Sequence, residues 1–109
     1  QIVSVSLARE KVFFDEKTAM LLHLVEETSS VRMACRRMQI SYSGGWNIIR
    51  TLESQVSFPL VESVQGGAGG GQSRLTEKGK ELLCRFDGFQ AELKDIVSGL
   101  YDSYFKDVF

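Results

Sequence analysis

Two serine-led segments in the middle of the chain constrain its fold more than any other feature. Ser29 or Ser30 can cap a short helix over VRMACRRM, with Val31, Ala34, Cys35 and Met38 turned inward and Arg32, Arg36 and Arg37 outward. Gln39 and Ile40 form a turn. Ser41 can then cap a further helix over YSGGWNIIRTLESQ, in which Trp46, Ile49 and either Leu52 or Ile48 make the buried stripe. Tyr42, Ser43, Asn47 and Arg50 are left on the other side. Helices of about eight and about fourteen residues, separated by a turn of roughly three or four, make a helix-turn-helix arrangement when the second presents polar side chains. A plain helical hairpin is the alternative.

The flanking segments extend this unit on both sides. IVSVSLAR alternates apolar and polar residues, which predicts a strand over residues 2–9, and KVFF adds a short apolar block. Asp15 can cap a helix running to about Thr28, with Met20, Leu21, Leu24 and Val25 on one face. His23 lies among them without an acid or thiol at a catalytic spacing, so it reads as a surface or core histidine. Phe58-Pro59 stops the helix before it, and LVESV, GGAGGG and QSRLT read as two short strands around a glycine tip. Thr76 caps a long last helix in which Leu82, Phe86, Phe89, Leu93, Ile96, Val97, Leu100 and Tyr104 recur every three to four residues. That stripe is more than a small domain can cover, so part of it is expected to pack against a second copy of the chain.

The expected fold class is therefore mainly α with a small β component, a winged helix-turn-helix with a long C-terminal dimerisation helix. It forms one domain over residues 1–109: strand, three helices and wing in 1–76, and the terminal helix in 77–109. With 43% hydrophobic residues, a chain of 109 residues can bury one core without disulfides or metal. Cys35 and Cys84 are far apart, each among apolar residues at helical spacing, and read as buried thiols. No metal and no cofactor is expected. No apolar run is long enough to span a bilayer, and QIVSVSLARE lacks the order of a secretory signal, so a cytoplasmic location without membrane contact is expected.

A net charge of −1 is at odds with a nucleic-acid partner until the chain is divided. Residues 1–28 and 75–109 each carry two more acids than bases, whereas residues 29–74 carry three more bases than acids. All the bases of that middle segment, Arg32, Arg36, Arg37, Arg50 and Arg74, are arginines, the side chain suited to bidentate contacts with phosphates and bases. The glycine tract is no phosphate loop, because Gln72, Ser73 and Arg74 follow where Gly-Lys-Ser/Thr and a helix are required. It also lacks the βαβ setting of a dinucleotide fingerprint. An enzyme needs a nucleophile with its base, a carboxylate pair or a metal cluster, and one histidine with two isolated cysteines supplies none of these.

From residue 11 to residue 86 the chain resembles the DNA-binding domain of molybdate-dependent transcriptional regulators, the ModE family, themselves similar to LysR-type regulators. The matching residues are Ile40-Ser41-Tyr42, Trp46, Leu60-Val61-Glu62, the GGAGGG run, and Leu75-Thr76-x-x-Gly79 leading to Leu82. The resemblance implies double-stranded DNA as partner, the 41–54 helix in the major groove and a homodimer through the last helix. Ser41, Tyr42, Ser43, Asn47 and Arg50 then belong to the recognition helix. Gly66, Gly67, Gly69, Gly70, Gly71, Ser73 and Arg74 belong to the wing, and Arg36 and Arg37 supply other phosphate contacts. Phe86, Phe89, Leu93, Ile96, Leu100 and Tyr104 form the expected dimer interface. Gly44-Gly45 departs from the family, costing roughly 1 kcal/mol of helix propensity per glycine and removing side chains at the groove, so base preference is expected to differ. Full-length members carry molybdate-binding β domains after the long helix. No segment of residues 1–109 corresponds to one, so molybdate binding is not expected for this chain. A winged-helix protein-interaction module without DNA binding is the alternative.

Overall fold

Each helix starts where a polar side chain accepts a backbone N–H that has no partner within the helix. In the computed structural model, which describes residues 3–64 and 71–109, Asp15 accepts from Thr18 at the start of α1 (Glu16–Thr28) and Ser30 from Met33 at the start of α2 (Val31–Met38). Ser41 accepts from Gly44 at the start of α3 (Tyr42–Glu53), and Thr76 from Gly79 at the start of α4 (Glu77–Phe105). Ser30 rather than Ser29 caps α2, because Ser29 closes α1 in the left-handed conformation, φ 58°, with its N–H on the Val25 carbonyl. Gln39 ends α2 in the same conformation. Its N–H bonds the Arg36 carbonyl and the Ile40 N–H bonds the Cys35 carbonyl, so the chain reverses at once into α3.

Two small antiparallel hairpins complete the fold, β1 (Leu7–Ala8) with β2 (Val12–Phe14) and β3 (Val61–Val64) with β4 (Gln72–Leu75). Of the strand expected over residues 2–9, residue 2 lies outside the described residues, and among the described ones only Leu7–Ala8 forms it, since its partner is short and the register shifts between those two residues. In the second hairpin Val61, Glu62, Ser63 and Val64 face Leu75, Arg74, Ser73 and Gln72. Of the glycine tract, Gly66, Gly67, Gly69 and Gly70 lie outside the described residues.

Helices α1 to α3 enclose a core of Leu21, Leu22, Val25, Val31, Ala34, Cys35, Ile49 and Leu52, closed from below by Phe14, Leu60, Leu75, Leu83 and Phe86. Phe86 is stacked on Phe14, with centroids 4.0 Å apart and planes 7° from parallel. This corrects its assignment to the dimer interface: at 3% exposure it belongs to the core of its own chain. Met20 is also not a core residue, because at about 100° per residue it points some 200° away from Leu22. Cys84 is exposed, one helical step past the buried Leu83. The resulting architecture, three helices with a β wing and a long final helix, is a winged helix-turn-helix.

A single residue joins the wing to both neighbouring helices. The Leu60 N–H donates to Glu53 Oε2 at 2.7 Å, and the Leu60 carbonyl accepts from the Thr76 N–H at 2.9 Å. Thr76 Oγ1 also donates to the Pro59 carbonyl at 2.7 Å. Gly79 packs on this junction so closely that a Cβ there would lie 2.6 Å from the Leu60 oxygen. The Leu75-Thr76-x-x-Gly79 motif is therefore a joint between wing and final helix. Past the joint, α4 runs antiparallel to α1, tied by Asp87 to His23 at 2.7 Å and by Lys94 to Glu16 at 2.6 Å. Its remaining turns project from the body, giving an overall extent of 60 Å in the long direction.

Helix propensity alone favours alanine over glycine by about 1 kcal/mol, but overpacking against a fixed backbone costs about 1–3 kcal/mol. Gly79→Ala is thus expected to lower stability, whereas Gly88→Ala, whose Cβ meets nothing within 4 Å, is expected to raise it. Urea unfolding of the two variants beside the parent checks the opposite signs.

Candidate nucleic-acid interface

The polar face of α3 follows from its buried one. Gly45, Ile49 and Leu52 point into the core, so Ser43, Asn47, Arg50 and Ser54, spaced by four, three and four, line the opposite, exposed side. Asn47 also borders a shallow cleft with Val12, Phe13, Lys17 and Thr51, which brings the first turn of α1 beside α3. Ser41 has a different duty: its oxygen holds the Gly44 N–H at 3.0 Å.

Gly45 explains why α3 lies so close to α2. A Cβ at this position would overlap Cys35 Sγ, so the glycine lets the thiol sit against the α3 backbone. Gly45 is buried and never reaches the exposed face, which corrects the expectation that both glycines strip side chains from a groove. Burial pushes the Cys35 thiol above its ordinary pKa, against the smaller opposing effects of the Gly45 backbone and Arg32.

Aromatic rings organise the flank of α3. The Tyr42 and Trp46 rings meet edge to face at 6.4 Å, the Arg32 guanidinium lies 4.2 Å from the Tyr42 centroid, and that of Arg50 lies 5.6 Å from the Trp46 centroid. Such contacts hold a guanidinium without neutralising it. Among the described residues Arg32, Arg36 and Arg50 have no carboxylate partner, whereas Arg37 pairs with Glu27 at 2.9 Å and Arg74 with Glu62 at 3.1 Å. Both pairs are solvent-exposed and contribute about 0–1 kcal/mol each, so an incoming anion can displace either carboxylate. The sequence places Arg32 among the basic residues of the middle segment without giving it a position in the site, and does not place Lys17 beside α3. The Arg32–Tyr42 contact crosses from α2 to α3, and Lys17 meets α3 only through the tertiary fold.

The β3–β4 wing is fixed relative to this face through the Ser73 N–H, which donates to the Ser29 carbonyl at 2.9 Å. Ser73 thus anchors the wing by its backbone, while Arg74 stands outward on the same strand. Gly71, at φ 72°, is exposed and in the left-handed conformation that glycine adopts most readily. His23 is not partnerless as expected, since α4 supplies Asp87, but the pair is half-exposed on the far side of α1 with no nucleophile in the contact.

A helix-turn-helix with a capped, polar-faced second helix, a β wing beside it and an arginine-rich flank defines the winged helix class of regulatory domains. Residues 18–80 match the family model described as bacterial regulatory helix-turn-helix protein, lysR family, and the chain belongs to that family. It is 36% identical over 70 residues to the molybdenum transport protein ModE of Herbaspirillum seropedicae, covering 64% of this chain and 26% of the relative. With the molybdenum transport protein ModE of Azotobacter vinelandii the identity is 29% over 100 residues, 86% of this chain and 37% of the relative. With the DNA-binding transcriptional dual regulator ModE of Escherichia coli (strain K12) it is 30% over 79 residues, 72% and 30%. The chain thus spans roughly a quarter to somewhat over a third of the length of these relatives. No helix among the described residues is long and apolar enough to cross a membrane.

The two thiols make the packing of α3 on α2 testable. In the native protein Cys84 is expected to react with a disulfide reagent within seconds to minutes, and Cys35 only when the domain opens. Because burial disfavours the Cys35 thiolate, stability is full below the ordinary thiol range and falls as pH rises from that range through the raised folded value. Reagent kinetics with and without denaturant, using Cys84→Ser to isolate Cys35, give the measurement; two equally fast thiols would contradict the packing.

Proposed function

We propose that this chain binds double-stranded DNA as a homodimeric transcriptional regulator, with α3 in the major groove and the β3–β4 wing against the adjoining backbone. The observation that carries the reading is the face of α3. Ser43, Asn47 and Arg50 stand exposed on it, beside Arg32 and Arg36, whose charges are not answered by carboxylates among the described residues. An amide can pair bidentately with an adenine edge, and arginines beside a groove hold phosphates. Asn47 is accordingly the base reader, with Tyr42 and Ser43 adding contacts. Arg36, Arg50 and Arg74 are the backbone anchors, and Arg37 joins them when DNA displaces Glu27. The molybdenum in the relatives' names belongs to proteins of which this chain spans roughly a quarter to somewhat over a third, and it is not assigned to these residues.

Asn47→Ala should cost about 1–3 kcal/mol on a selected duplex and little on a random one, because base contacts carry discrimination. Alanine at Arg50 or Arg74 should weaken both duplexes alike and reduce the salt slope by about one, because each phosphate contact releases about one counterion. Fluorescence anisotropy on matched duplexes at several salt concentrations reads all three. A chain that binds no duplex at low salt is instead a protein-interaction module on this scaffold.

The dimer reading rests on α4. Phe89, Ile96, Leu100 and Tyr104 are between 50% and 73% exposed on a helix that projects from the body, an apolar stripe that a soluble monomer seldom leaves open. Replacing both Leu93 and Leu100 with Glu should give a folded monomer by light scattering. An unchanged dimer would move the interface off α4.

A further inference from the structure

Tyr42, Trp46 and Arg50 recur every four residues along α3, so they form one strip that winds around the helix by about 40° per step. Gly45, Ile49 and Leu52 fix the buried side of α3, and the strip runs along the edge between that side and the exposed face of Ser43 and Asn47. Trp46 is half-buried at its middle, while Tyr42 and Arg50 are exposed at its ends. The strip does not stop at Tyr42. Arg32, in the first turn of α2, places its guanidinium 4.2 Å from the Tyr42 centroid, the Tyr42 and Trp46 rings meet edge to face at 6.4 Å, and Arg50 lies 5.6 Å from the Trp46 centroid. Two touching rings thus carry an arginine at each end.

We propose that Arg32 is a phosphate contact of the DNA-binding face and that Tyr42 is its positioning residue, the ring holding the guanidinium at the edge of the groove before DNA arrives. The proposal rests on the DNA reading above and adds a contact which that reading leaves unassigned. An arginine loose in water samples many rotamers and must be ordered on binding, whereas one resting on a ring has much of that order already. The ring leaves the positive charge intact, and the planar guanidinium fork has five N–H donors, more than one ring can occupy, so a phosphate can still be gripped. Arg37 and Arg74 differ in this respect, since each must first release a carboxylate, Glu27 at 2.9 Å and Glu62 at 3.1 Å, whereas among the described residues no carboxylate pairs with Arg32. Its position fits as well. Tyr42 is the first residue of α3, so Arg32 stands where the recognition helix begins, while Arg50 stands eight residues on, roughly 12 Å along the axis. Phosphates held at both ends of the strip fix the register of α3, which is what backbone contacts do for a base-reading helix.

The test first asks the 109-residue chain to bind a short random duplex, read by fluorescence anisotropy at several salt concentrations. Absence of binding at low salt removes the DNA reading and this contact with it. Given binding, Arg32→Ala should weaken random and selected duplexes alike and lower the salt slope by about one. Tyr42→Leu, which removes the ring, should weaken the random duplex about two- to fivefold, the equivalent of one exposed cation–π contact, and Tyr42→Phe, which keeps the ring, should recover most of that loss. In the chain carrying both Arg32→Ala and Tyr42→Leu the loss should fall short of the product of the two single losses, because the ring acts through the arginine. The placement itself is read without DNA, as the upfield ring-current shift of the Arg32 δ protons, which Tyr42→Leu should abolish and Tyr42→Phe preserve. An Arg32→Ala chain that loses stability to urea but keeps the parent salt slope would show that the contact only staples α2 to α3. That result overturns the proposal and leaves DNA binding through Arg36, Arg50 and Arg74 in place. Losses that multiply in full in the doubly changed chain would overturn the positioning role of Tyr42.

Discussion

The backbone of Leu60 is the point at which the wing is joined to both α3 and α4. Its N–H is held by Glu53 at the end of α3, its carbonyl takes the Thr76 N–H, and Gly79 in the first turn of α4 rests against that same oxygen. If α3, the wing and α4 serve one DNA site as proposed, their relative positions must be fixed, since a misplacement of an ångström breaks hydrogen bonds to base edges. Here three elements converge on the backbone of one residue. Substitutions at Glu53, Thr76 or Gly79 are therefore expected to weaken the proposed DNA contact without touching DNA.

A second close approach does for the helix pair what Leu60 does for the wing. The absence of a Cβ at Gly45 lets Cys35 sit against α3, and the left-handed turn at Gln39 brings α3 back across α2 immediately. The price in helix propensity is modest, about 1 kcal/mol for a glycine within a helix, and the burial of Val31, Ala34, Cys35, Ile49 and Leu52 offsets it. Arginines then gather on the flank because the ring of Tyr42 faces α2 and can hold Arg32, a contact that bridges the two helices of the motif.

Much of the architecture was legible in the sequence because it is written in local chemistry. Asp15, Ser41 and Thr76 each precede a run of helical periodicity, and each proves to be a cap, as does Ser30 of the two serines that offered themselves. The helix-turn-helix, the hairpin around the glycine tract and the long last helix follow from the same signals. What was not legible depends on rotation about a helix axis or on contacts between distant residues. Met20 and Cys84 are apolar and correctly spaced for a core, yet one helical step sets them outside it. Phe86 belongs to a continuous stripe in the sequence, but only the fold shows that the stripe passes from the body to the open face between Phe86 and Phe89. The His23–Asp87 contact joins residues 64 apart, and neither spacing nor composition signals it.

The central claim is that the exposed side of α3, with the arginines beside it, meets the DNA while the far end of α4 does not. Amide chemical-shift mapping during titration with a short random duplex at low salt tests this most directly. Ser43, Asn47 and Arg50, together with Arg36, Ser73 and Arg74, are expected to shift or broaden early, and residues 95–109 to stay unperturbed. Perturbations confined to α4 and the β1–β2 hairpin, with α3 unchanged, would contradict it.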